Sequence, residues 1–220
     1  MTHQALAVDD SIRREIIRYS RRLESEQLIV GTAGNISMRL NSGMIITPSG
    51  AEYATLQPSD LCEVDESGQV TPGTQLTPSS ESFLHLSAYR ADPSINAVVH
   101  FHGLHTVAVA NTHDDLPLVH YYAMRLGGAV PVVPYSTFGG DRLAEDVTSV
   151  ISRYPAALMR NHGAVVTGVT LEEAFNRALL LEWLCRLVTT SAPLGRSHTL
   201  SAADAEAVAA KYAERAGAAS

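Results

Sequence analysis

Ala97-Val98-Val99-His100-Phe101-His102 is the stretch on which the fold turns. Residues 97–101, built around Val98-Val99, read as a buried strand. Side chains alternate along a strand, so His100 and His102 point to one face. Two imidazoles on one face can grip a single metal ion, which wants three or four nitrogen, sulfur or oxygen ligands. His105 adds another nearby nitrogen, but it falls past the strand, on an expected helix over 105–111.

Outward from that strand, short apolar runs alternate with helical periods. Ser11 to Leu28 reads as a helix, with Ile12, Ile16, Tyr19, Leu23 and Gln27 on its apolar stripe and Asp9 or Asp10 as cap. Its arginines, Arg13, Arg14, Arg18, Arg21 and Arg22, read as a solvated face rather than a site for an anion. Gly31 to Gly34 is expected to break it. Strands follow at 36–40, 44–47 and 61–64, the first two joined by a hairpin turn at Asn41-Ser42-Gly43. A helix opens at Thr77-Pro78-Ser79-Ser80 and runs to about Arg90. Downstream, strands are expected at 130–134, 157–159 and 164–167, and helices at 140–153, 171–190 and 201–216. The alternation gives a layered α/β or α+β domain.

Composition narrows the function. A chain of 220 residues, 45% hydrophobic and 18% charged, is long and apolar enough for one sizeable core, which excludes a disordered or fibrous protein. One domain over 1–220 is expected, with 196–220 as a C-terminal helix or tail. The net charge of −7 argues against binding a nucleic-acid backbone. No apolar run approaches the length of a membrane span, and Met1 to Asp10 lacks a basic-then-apolar signal pattern. Cys62 and Cys185, far apart, make neither a disulfide framework nor a cysteine zinc site, so a cytoplasmic location is expected. Lys211 is the only lysine and falls in a surface helix, so imine chemistry at a desolvated lysine is not expected. Six of nine histidines fall between His85 and His120, a concentration of the commonest zinc ligand.

Further residues join the His-x-His pair. His162 stands in a tight turn, Asn161-His162-Gly163, between two strand-like runs, where a ligand would be exposed at a strand end. Its ordinary reading is a turn residue. Glu81 follows Ser79-Ser80 at a helix start, where the helix dipole favours a carboxylate. Ser79 and Ser80 are candidate caps, and with free N–H groups also a phosphate cradle. Gly31 to Ser37 and Thr47-Pro48-Ser49-Gly50 are two more small-residue loops beside strands, able to offer N–H groups to an anion.

In order, Gly34-Asn35-Ile36-Ser37, Ile46-Thr47-Pro48-Ser49-Gly50, Pro78-Ser79-Ser80-Glu81, His100-Phe101-His102 and Asn161-His162-Gly163 resemble the class II aldolase/adducin family. Val119-His120-Tyr121 and Pro134-Tyr135-Ser136-Thr137-Phe138-Gly139 fit as well, so the resemblance spans roughly 12 to 190. It implies a three-layer α/β/α sandwich around a mostly antiparallel sheet, assembled as a homotetramer with the site at the subunit interface. It implies a divalent ion, Zn²⁺ with Mn²⁺ or Co²⁺ as alternatives, on His100, His102 and His162. Glu81 would be a fourth ligand at rest and the acid–base group in turnover. Asn35, Ser49, Gly50, Ser79 and Ser80 would hold the substrate phosphate. Tyr121 of an adjacent subunit would exchange a proton with the aldehyde-derived oxygen, with Tyr122 as the alternative in alignment. Phe138 would line the aldehyde side, or else sit in the core. Only Tyr212 is available in the tail for a second tyrosine.

The activity so implied is cleavage of a ketose 1-phosphate, of the L-fuculose 1-phosphate kind, to dihydroxyacetone phosphate and an aldehyde. Rivals within the family are a 5-deoxyribulose- or methylthioribulose-phosphate aldolase or dehydratase, a sugar-acid phosphate decarboxylase and a 4-epimerase. The epimerase pattern has Asp where Glu81 stands. A metallohydrolase of H-x-H-x-D-H type would need Asp in place of Leu104. A non-catalytic adducin-like module would lack the metal ligands.

Overall fold

The computed structural model describes residues 10–72 and 74–217, with the side chains of 216 and 217 set aside. Asp9, one of the two expected caps, and most of the segment read for a signal lie outside the described residues. Helix α1 (Asp10–Ser25) is followed by strands β1 (Asn35–Leu40), β2 (Gly43–Ile46) and β3 (Cys62–Val64). Then come α2 (Ser82–Ala91), β4 (Ala97–Phe101), α3 (Leu104–Thr112) and β5 (Val132–Val133). The chain continues through α4 (Asp141–Ile151), β6 (Ala156–Met159), β7 (Gly163–Gly168), α5 (Leu171–Ser191) and α6 (Ala202–Gly217).

The strands form one seven-stranded sheet in the order β3-β2-β1-β4-β7-β6-β5. Every pairing is antiparallel except β5 with β6. β4 lies at the centre, and alternation divides its residues between two cores. Ala97, Val99 and Phe101 face one side with Ile36, Leu158 and Val166, under α1, α3 and α5. Val98 faces the other with Ile46, Met159 and Val165, under α2 and α4. The sheet is therefore the middle of three layers, as expected from the resemblance. His100 shares the face of Val98, so its side chain points toward α2.

Three elements differ from the sequence reading. α1 ends at Ser25, before the glycines, because Gln27 turns left-handed (φ 57°) and the Leu28 N–H donates back to the Leu23 carbonyl at 2.8 Å. Its arginines divide: Arg14 and Arg18 stay in water, as expected of a solvated face, while Arg13 and Arg21 reach back to the fold. Arg13 pairs with Glu63 and donates to the Pro58 carbonyl, and Arg21 donates to the Tyr53 and Leu56 carbonyls. The run at 130–134 counts as a sheet strand only at Val132–Val133, flanked by Pro131 and Pro134, which have no N–H for a ladder; Pro131 makes only an isolated bridge to Asp115. α2 starts at Ser82 rather than at the serines before it, because Ser79 is held in a loop: its N–H donates to the Thr47 carbonyl at 3.2 Å.

Phe175 of α5 is fully buried, its ring 5.0 Å from that of Tyr19. Phe175→Ala should destabilise the fold by about 3–5 kcal/mol, read as a lowered urea midpoint; an unchanged midpoint would contradict this packing.

Candidate metal centre

The central strand delivers His100, and its neighbours supply what stands against it. Asn35 of β1 and Val165 of β7 are its cross-strand partners. His100 Nδ1–H donates to the Ala164 carbonyl at 2.9 Å, which leaves Nε2 facing the site. His102 follows the end of β4, where its N–H donates to the Leu28 carbonyl at 2.8 Å. Its Nε2 lies 2.8 Å from His100 Nε2, so the i, i+2 alternation carries through the strand end.

His162 comes from the tight turn between β6 and β7. Asn161 takes the left-handed conformation there (φ 54°), which asparagine accepts more readily than most residues. Its N–H donates to Asn111 Oδ1 at 2.7 Å. The His162 ring sits 4.9 Å from that of His100 and 5.1 Å from that of His102. One nitrogen from each of the three rings lies within 4.8 Å of the others. Gly163 permits this approach. A Cβ there would stand 2.3 Å from the Phe101 carbonyl oxygen and 3.1 and 3.3 Å from the His102 and His100 rings.

Glu81, at the N-terminus of α2, closes the group. Its Oε2 lies 2.9 Å from His100 Nε2 and accepts from Asn35 Nδ2 at 3.1 Å. Its Oε1 lies 3.3 Å from His162 Nε2 but is buried with no hydrogen-bond partner. Burial opposes charge on Glu81, but His100, His162 and the Asn35 amide overcome it and hold the carboxyl well below its usual range. Burial likewise opposes charge on His100, and Glu81 reverses the balance, so its pKa moves up. His102 and His162 are pulled down to about 3 and about 4, by burial first and then by His100. A buried carboxylate oxygen without a hydrogen bond and imidazole nitrogens crowded together lack positive charge. A divalent cation fits the three-imidazole group, with the Glu81 carboxylate beside it to balance the charge.

The two candidate phosphate loops are joined. The Ser49 N–H donates to the Thr77 carbonyl at 2.9 Å, alongside the bond from Ser79 to Thr47. Ser49, Gly50 and Ser80 are exposed, while Ser79 is buried, its Oγ accepting from the Glu81 N–H at 3.3 Å. Asn35 is not on an open loop: it is buried, its amide shared between Glu81 and His85. Phe138 is 65% exposed, which rules out its core reading. Tyr121 is 45% exposed in a 3-10 turn, where it stacks on His120 at 4.6 Å beside Tyr122. Its described ring contacts are there, not with the histidine group. Tyr212 of α6 lies close to that turn and interacts with Tyr121. His105 points elsewhere, its Nδ1 2.7 Å from Thr189 Oγ1. Leu104 is exposed at the start of α3 and offers a metal nothing, so the metallohydrolase pattern lacks its aspartate. The sequence reading passed over His85, which is fully buried behind Asn35. The signal was there: Glu81, His85 and Tyr89 recur every four residues, a polar stripe on one helix face.

The sequence model described as Class II Aldolase and Adducin N-terminal domain matches residues 14–189. The chain belongs to this family. It is 38% identical over 163 residues to a 5-methylthioribulose-1-phosphate/5-deoxyribulose-1-phosphate aldolase of Escherichia coli, covering 74% of this chain and 76% of the relative. It is 37% identical over 183 residues to the L-fuculose phosphate aldolase of Escherichia coli K12, covering 83% and 84%. A 3-oxo-tetronate 4-phosphate decarboxylase of Pectobacterium atrosepticum is 36% identical over 194 residues, covering 85% and 88%. Among solved structures, an L-fuculose 1-phosphate aldolase superposes with a TM-score of 0.88 at 29% identity, covering 96% of this chain and 99% of that one. This class II aldolase family member is thus a metal-dependent lyase, with a three-histidine group able to take the ion.

Gly163→Ala should force β7 away from β4. The expected result is a loss of stability of about 1–3 kcal/mol together with weaker binding of zinc, measured by competition with a chromophoric chelator; unaltered affinity would refute the close-approach account. A second outcome concerns pH. Burial, then His100, pulls the His85 pKa from 6.5 to about 3. Below about 6.5 the unfolded chain takes up a proton that the fold refuses, so this contribution is complete above that pH and is lost toward about 3. In metal-free protein, urea midpoints should fall across that window less steeply in His85→Gln than in the wild type.

Proposed function

We propose that this enzyme cleaves a ketose 1-phosphate of the L-fuculose 1-phosphate kind into dihydroxyacetone phosphate and an aldehyde. The observation that carries this reading is a buried Glu81 oxygen with no hydrogen bond beside three convergent imidazoles. Names of relatives add support, since two of those compared are aldolases of ketose 1-phosphates. His100, His102 and His162 would hold the ion, zinc in this reading with manganese or cobalt as alternatives. When bound, the ion supplies Lewis-acid stabilisation to the carbonyl side of the cleaved bond, worth several kcal/mol.

The residues do the rest. Breaking a carbon–carbon bond beside a ketone leaves electron density on carbon, and no pocket lysine is available to store it as an imine. Cleavage takes one proton from the hydroxyl that becomes the aldehyde, through Tyr121, and adds one to that carbon; Glu81, which rests ionised and buried, takes up a proton and delivers it there, so none is gained or lost overall. The joined loops, through Ser49, Gly50, Ser79 and Ser80, offer the phosphate their hydroxyls and the N–H groups of Gly50 and Ser80, those of Ser49 and Ser79 being spent on the Thr77 and Thr47 carbonyls, with Asn35 behind them. Phe138, exposed, lines the aldehyde side. Tyr121, exposed and with its ring contacts at His120 and Tyr122 rather than at His100, His102 or His162, serves a neighbouring subunit's site, which requires a homo-oligomer, a tetramer in this reading. A single domain over 1–220 working in the cytoplasm is part of the same proposal. No helix among the described residues is long and apolar enough to cross a membrane. A decarboxylase of sugar-acid phosphates is the second reading, favoured by the relative of that name at nearly equal identity.

Incubation with a panel of ketose 1-phosphates should release dihydroxyacetone phosphate, and a chelator should abolish this until zinc is restored. Release of carbon dioxide from a 3-oxo acid phosphate, with no ketose cleaved, would replace the aldolase reading with the second one. Glu81→Gln should retain part of its zinc and lose proton exchange at the product carbon, followed by deuterium uptake; a fully active variant would remove Glu81 from the chemistry.

A further inference from the structure

Behind Glu81 and Asn35 runs a buried polar chain, His85, Ser37 and Tyr89, that the reaction outlined above does not use. α2 presents His85 and Tyr89 on one face, and β1 presents Asn35 and Ser37 on the face opposite. All four are buried. Asn35 Nδ2 lies 3.1 Å from Glu81 Oε2, and Asn35 Oδ1 lies 2.5 Å from His85 Nε2. His85 Nδ1 lies 2.7 Å from Ser37 Oγ, which lies 2.7 Å from the Tyr89 hydroxyl.

The donors in this chain have one consistent direction. An ionised carboxylate only accepts, so the Asn35 nitrogen must face Glu81. Asn35 Oδ1 then faces His85, and His85 Nε2 must carry a hydrogen. Fully buried, with only the neutral Asn35 and Ser37 side chains on its nitrogens, the ring carries no second one, so Nδ1 accepts from Ser37, and Ser37 accepts from Tyr89. The opposite tautomer would set two acceptors, His85 Nε2 and Asn35 Oδ1, against each other, or flip the amide and set Oδ1 against Glu81.

We propose that His85 is a positioning residue: its Nε2–H locks the Asn35 amide, which pins Glu81 Oε2 and keeps Oε1 turned to the histidine cluster. Outer hydrogen bonds of this kind orient the groups that touch a metal or substrate. The proposal rests on the reading of Glu81 as the proton-carrying group.

The direct test is nitrogen NMR of wild-type protein labelled with ¹⁵N-histidine. His85 should show a single neutral Nε2–H tautomer; an Nδ1–H tautomer, or averaging of the two, overturns the proposal. The second test compares two variants. In His85→Gln the amide nitrogen can reach the place of Nε2, whereas in His85→Asn the side chain is too short to reach Asn35. The Asn variant should lose about 10–100-fold in kcat, with KM unchanged and zinc affinity reduced. The Gln variant should recover most of both. Equal losses in the two variants, or a loss confined to KM, would also overturn it. Should the Asn variant fail to fold, the tautomer in the wild type and the Gln variant still decide. If the wild type cleaves no ketose phosphate, the functional reading fails by itself, while the tautomer and the zinc affinities continue to test the positioning role.

Discussion

β4 and β7 pair side by side to the end where the histidines emerge, and the lack of a side chain at Gly163 is what allows it, since one there would run into the Phe101 carbonyl. Each of the three ligand candidates depends on it. His100 is the last residue of β4 on the face of Val98, His102 follows the strand end, and His162 precedes the first residue of β7. Larger side chains fill both faces of the sheet farther along, but at this end the backbone itself is the packing surface. The strands meet closely enough for three rings from two chain segments to share one small volume.

That volume is costly to keep. Glu81 is buried, and a buried carboxylate needs compensating charge or hydrogen bonds. In the protein alone, Asn35 and a proton on His100 supply part of this, and one oxygen remains without a hydrogen bond. The same imbalance makes the site receptive to a cation. The neutral side chains behind it, His85, Ser37 and Tyr89, are fully engaged with one another, so they add orientation without adding charge.

In the proposed reading, the metal-holding and substrate-holding groups come from different elements of the sandwich. The histidines sit on the sheet. The carboxylate comes from the start of α2, and the joined loops around Ser49 and Ser79 fix where that helix begins. The aromatic turn at Tyr121 belongs to the opposite side of the chain's architecture, packed with Trp183 of α5 and with α6. A site built this way can keep its metal ligands constant while the surrounding loops vary the substrate, which is consistent with lyases of differing substrates at similar identity.

Much of this was legible in the residues themselves. Strand alternation fixed His100 and His102 on one face, Asn161-His162-Gly163 announced its own turn, and the apolar run at 97–101 marked a strand with no exposed side, because these depend only on local geometry. The absence of a usable lysine likewise followed from composition. What stayed hidden depended on contacts between distant segments. The end of α1 was set by a left-handed Gln27 rather than by the glycines, and the start of α2 by a loop that pairs with residues some thirty positions earlier. His85 looked like one histidine among many until β1 brought Asn35 and Ser37 to it. Local pattern determines which face a side chain takes; which groups then share that face, and in what order protons are donated among them, is decided only when the strands and helices pack.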